Sequence, residues 1–64
     1  MTFPEVRHAK GMEIDARQNL RSVARFHKPG SPVYDTANDL LTHWVNELNK
    51  RLDAYEKETG SRPF

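Results

Sequence analysis

From Tyr34 onward apolar residues recur in steps of three and four. They are Tyr34, Ala37, Leu41, Trp44, Leu48, Leu52 and Tyr55, with Val45 beside Trp44. This spacing puts them on one stripe of a 3.6-residue helix. Both ends carry punctuation. Ser31 can cap the first turn, Pro32 suits the first helical position, and Asp35 and Asp39 place negative charge near the start. Gly60 can close the helix in a left-handed conformation, and Pro63 prevents its continuation. The pattern predicts one long amphipathic helix between Ser31 and Gly60.

Upstream the signal is weaker. Ala16, Leu20, Val23, Ala24 and His27 make a narrow apolar face and predict a first helix over Ala16–His27. Lys28-Pro29-Gly30 ends it, because proline disfavours helix at the residue before it and glycine permits a turn. Residues 10–14 admit two readings. Helix can begin at Met12 with Gly11 as its cap. Alternatively Met12 and Ile14 alternate with Gly11 and Glu13 as a short strand, and Asp15 caps a helix starting at Ala16. The second is expected, since aspartate caps better than glycine and the alternation has the period of a strand. Residues 1–9 are polar and contain Pro4, so they read as a flexible arm. Residues 61–64 read as a frayed tail. The domain proper is residues 10–60.

Composition sharpens this picture. Sixty-four residues make one small domain with a thin core, and there is no cysteine for a disulfide or a thiolate metal site. One short first helix cannot cover the long stripe, so a homodimer is expected, with Leu41, Trp44, Val45, Leu48 and Leu52 in its interface. No apolar run approaches membrane-spanning length, and Met1–Lys10 lacks the apolar centre of a signal peptide. The expectation is a cytoplasmic protein without a membrane partner.

The formal net charge is +1, but it is unevenly spread. Residues 1–30 carry Arg7, Lys10, Arg17, Arg21, Arg25 and Lys28 against Glu5, Glu13 and Asp15, and the acids outnumber the bases in residues 31–64. A basic half points to an anionic partner. Arg17, Arg21, Arg25 and Lys28 would form one stripe on the first helix, either a phosphate-contacting rail or an ordinary solvated face. Asp35, Asp39, His43 and Glu47 share a face at metal-ligand spacing, yet acids in the first turns and a solvated His–Glu pair explain the row without a metal. No nucleophile, phosphate loop or ligand set assembles into a catalytic or cofactor site, so neither enzyme activity nor a cofactor is expected.

The order arm, short strand, helix, Gly-containing turn and longer helix resembles the ribbon-helix-helix DNA-binding family, in particular Arc-like phage repressors and plasmid-partition proteins. The segment Gly30-Ser31-Pro32-Val33-Tyr34-Asp35 followed by Leu40-Leu41-Thr42-His43-Trp44 is similar to the family's turn and acid-led second helix. The resemblance implies a mainly α, dimeric strand-helix-helix fold and a sequence-specific repressor or partition factor on duplex DNA. It would place Lys10, Gly11 and Glu13 toward the bases and Met12 and Ile14 in the dimer core, with Ser31 and Val33 at the phosphates. Arg7 would contact DNA from the arm. Glu13 departs from the basic or amide residues expected on such a ribbon. The alternative is a helical hairpin that pairs into a four-helix bundle or captures a protein partner as a small inhibitor or adaptor.

Overall fold

The structure, a computed structural model, describes residues 1–64. It consists of two antiparallel helices, α1 (Phe3–Val23) and α2 (Pro32–Thr59), and contains no strand. Together they form a rod of 42 × 15 × 13 Å. The fold is mainly α, as expected, in the form of the helical hairpin.

α2 follows its sequence signals. The Ser31 hydroxyl accepts from the Tyr34 backbone N–H at 3.2 Å, and Asp35 Oδ1 accepts from the Gly30 N–H at 3.2 Å. At the far end Gly60 has φ 78° and its N–H donates to the Glu56 carbonyl. That left-handed conformation is easy only for glycine. The turn between the helices uses the same device, with Gly30 at φ 98°.

α1 corrects three expectations. It begins at Phe3, so residues 3–9 are helix rather than a flexible arm. Pro4 lies in the first turn, where its missing N–H has no intrahelical acceptor to lose. Residues 10–14 are helical, not extended, so the ribbon implied by the family resemblance is not shown, and Asp15 lies inside the helix rather than capping one. Finally, α1 ends at Val23; Ala24 to Phe26 continue only as a turn, His27 lies beyond it, and all four side chains are exposed.

The reason lies in a second heptad seam. Val6, Ala9, Glu13, Ala16, Leu20 and Val23 alternate by three and four and are all buried or half-buried. They face the stripe of α2, in the spacing of two packed helices. The Met12/Ile14 alternation is incidental to this seam. Met12 is half-buried on its flank and Ile14 is 40% exposed.

Packing along the rod is uneven. The main apolar cluster is Val6, Ala9, Leu48 and Leu52, joined by Met1, Trp44 and Tyr55. It occupies the end away from the turn, where Arg51 Nη1 also donates to the Glu5 carbonyl at 2.9 Å. Toward the turn only Ala16 and Ala37 are buried, while Leu20, Val23, Tyr34 and Leu41 stay half-exposed. The tail folds back on the well-packed end. Phe64 stacks near Phe3 and lies under Lys10, and Arg62 hydrogen-bonds Asp53 and Glu56. It is not the frayed segment expected from the sequence.

Candidate functional site: two flanks and a basic edge

Two packed helices leave a groove on either side of their seam, and here the grooves differ. The first lies near the turn. Asn19, Val23, Pro32, Val33, Thr36, Ala37 and Leu40 line about 460 Å³ of mostly apolar space. Val33 is 48% exposed and Leu40 46%. Trp44 lies one turn beyond Leu40 on the same side of α2, with the His8 and His43 rings edge-on to it at 5.9 and 5.0 Å. Phe26, at 85% exposure, projects from the turn. The second groove, about 340 Å³, faces the other way and is more polar. Lys10, Arg17 and Arg62 line it together with Glu13, Asn49 and Phe64.

Glu13 is the one charged residue inside the seam, 4% exposed. Its carboxylate accepts from Arg17 Nε at 2.9 Å, pairs also with Arg17 Nη2, and has Lys10 Nζ at 3.7 Å. A buried charge persists only with such partners. The residues expected to face bases, Lys10 and Glu13, thus pair with each other. Gly11 is exposed on the outer side of α1.

The arginines divide into two sets. Arg17, Arg51 and Arg62 each bind a carboxylate. The hydrogen bonds to Glu56 and then Asp53 raise the Arg62 guanidinium above its ordinary pKa, despite the opposing desolvation. Arg7, Arg21 and Arg25 form no ion pair and are exposed. Arg7 and Arg21 are two heptads apart on one edge of α1, and Arg25 follows in the turn segment just past its end. The expected rail therefore loses Arg17 to Glu13 and gains Arg7. Charge counting alone missed this, although Glu13 and Arg17 already stand at the i, i+4 spacing of a helical ion pair.

The residues expected in a dimer interface also divide. Leu48 and Leu52 are buried within the chain, whereas Leu41, Trp44 and Val45 are only half-covered. Ser31 caps α2, and Val33 lines the apolar groove. The Asp35–Glu47 row is dispersed: Asp35 binds the turn, His43 packs on Trp44, and Glu47 pairs with Arg51. No three histidine, aspartate or glutamate side chains converge as a metal set. Neither helix is long and apolar enough to cross a membrane. Comparison with known proteins returns no family model, no curated protein and no solved structure that matches this chain.

Proposed function

We propose that this protein is a non-enzymatic helical-hairpin interaction module that works as a homodimer, two hairpins pairing into a four-helix bundle. One observation carries the reading. The main apolar cluster lies at the end away from the turn, while the same heptad seam runs on toward the turn with only Ala16 and Ala37 buried and with Leu20, Val23, Tyr34 and Leu41 half-covered. A chain of this size without staples is marginal alone, and a second hairpin supplies the missing cover in the geometry that such helices favour. Sedimentation equilibrium at micromolar concentration tests it. A dimer is expected, and a stably folded monomer at all concentrations rejects it.

A second reading keeps duplex DNA as a ligand of that dimer. It rests on Arg7, Arg21 and Arg25, which have no acidic partner on their own chain. Such an edge favours the phosphate backbone without selecting bases. Binding to random-sequence duplex that weakens steeply with salt is the expected result.

A further inference from the structure

We infer that the turn-end groove, and not the opposite flank, is where the second copy of this chain docks. The inference rests on the homodimer reading above and specifies its geometry.

Three observations choose the flank. The opposite groove is already partly filled by the tail, since Arg62 and Phe64 line it. Lys10, Arg17 and Arg62 also line it together with Glu13, and they are held in ion pairs with Glu13, Asp53 and Glu56, so pairing this flank with its own copy would take those part-exposed ion pairs out of water, at a desolvation cost. The turn-end side lacks both obstacles. Its lining contains no charged residue, and the apolar run Val33, Ala37, Leu40 and Trp44 climbs α2 in steps of four and three, over about 16 Å of helix.

Size and shape choose the occupant. A specific interface buries roughly 800 Å² per partner, and the whole chain exposes 4606 Å². An interface of that size needs most of one flank of a rod 42 Å long and 15 Å wide. A second rod of the same length laid alongside uses the flank from end to end. The same pairing is isologous, so each copy both offers and fills a groove. The net charge of +1 sets up little repulsion between copies.

The chain has a built-in reporter. Trp44 is its sole tryptophan; it packs half-buried against the main apolar cluster and lies on the Leu40 side of α2, one turn beyond the groove. A second copy laid along that flank, past the groove, covers more of its indole. Docking on the opposite flank leaves it unchanged. The experiment combines sedimentation with Trp44 emission across a dilution series, for wild type, Leu40→Glu and Asn49→Arg. Both substituted residues are exposed, and far-UV circular dichroism checks that each variant remains helical. A Val33→Lys variant replaces Leu40→Glu if that chain loses its helicity.

The inference expects a wild-type dimer whose emission shifts to longer wavelength as it dissociates. It expects Leu40→Glu to weaken association by at least about tenfold, because a buried unpaired carboxylate costs more than the 1.4 kcal/mol of one decade. Asn49→Arg keeps the wild-type affinity. A dimer whose emission does not depend on concentration, and which Asn49→Arg rather than Leu40→Glu disrupts, overturns the chosen flank and leaves the homodimer reading standing. A helical wild-type chain that stays monomeric overturns both and frees the groove for a different protein.

Discussion

Arg17 Nε donates a 2.9 Å hydrogen bond to Glu13 Oε1 one turn behind it, and so satisfies the only charged group buried between the two helices. Arg17 is itself 58% exposed, so the pair is modest in energy. Arg17→Ala leaves the buried Glu13 carboxylate with only Lys10 Nζ at 3.7 Å, and is expected to cost roughly 1–3 kcal/mol, the scale of a buried polar group that loses its partner. Glu13→Leu fills the same seam position with an apolar side chain and leaves Arg17 in water. It is expected to be neutral or stabilising, as for other buried ion pairs exchanged for hydrophobic packing. Urea unfolding of the two variants checks this. A Glu13→Leu loss larger than that of Arg17→Ala contradicts it.

Leu48 belongs to the four-residue apolar cluster away from the turn. Leu48→Ala is expected to lower stability by roughly 2–5 kcal/mol, the range for buried leucines. Thermal or denaturant unfolding measures it. A change within about 0.5 kcal/mol is the behaviour of a surface site and would show that the cluster does not form.

The three special backbone positions separate cleanly. Ser31→Ala removes the hydroxyl that accepts from Tyr34 N–H and should cost about 1 kcal/mol. Gly60→Ala forces a Cβ into a left-handed residue, φ 78°, and should cost about 1–2 kcal/mol. Gly11 sits inside α1 with nothing within 4 Å of an added Cβ, so Gly11→Ala should instead stabilise by about 0.5–1 kcal/mol. Helix content and midpoint on heating report all three signs, and a destabilised Gly11→Ala chain argues against helix at that residue.

The division among the arginines gives a prediction for duplex DNA. If the edge of α1 binds phosphates, Arg21→Ala removes about 0.9 from the slope of log affinity against log salt. Arg17→Ala changes the slope less, because its guanidinium is engaged by Glu13. Fluorescence anisotropy on random-sequence duplex between low and moderate salt makes the comparison. Equal slopes for wild type and Arg21→Ala exclude the edge as the contact.

The two helices were unequally legible in the sequence. α2 announces itself through large apolar side chains and through Ser31, Pro32 and Gly60, each of which has a local conformational preference that the fold obeys. α1 has none of these advantages. Its seam is built of alanines at 9 and 16 and a glutamate at 13, so periodicity is diluted just where Met12 and Ile14 imitate a strand. Pro4 reads as a breaker until its place in the first turn is known, and Asp15 has the chemistry of a cap at a position with no helix end. The apolar groove was hidden for a different reason. Val23, Val33 and Leu40 come together only through the turn, and Leu40 lies beside the main stripe rather than on it. Local pattern carries the helices, whereas their meeting depends on contacts far apart in sequence.

That separation has a kinetic side. Arg51 and Glu5 meet across 46 residues, and the apolar cluster joins equally distant parts of the chain, while positions next to the turn bury little. Most of the apolar burial between the helices therefore comes after a long loop has closed, which is the costly order of events. The hairpin cannot zip upward from its turn. It is expected to fold by collision of two partly formed helices at their far ends, with Val6 and Leu52 in the transition state. Stopped-flow refolding of Leu52→Ala should then be slower in proportion to its lost stability, whereas Ser22→Ala beside the turn should leave the folding rate unchanged. A Leu52→Ala chain that folds at the wild-type rate and only unfolds faster would move the nucleus elsewhere.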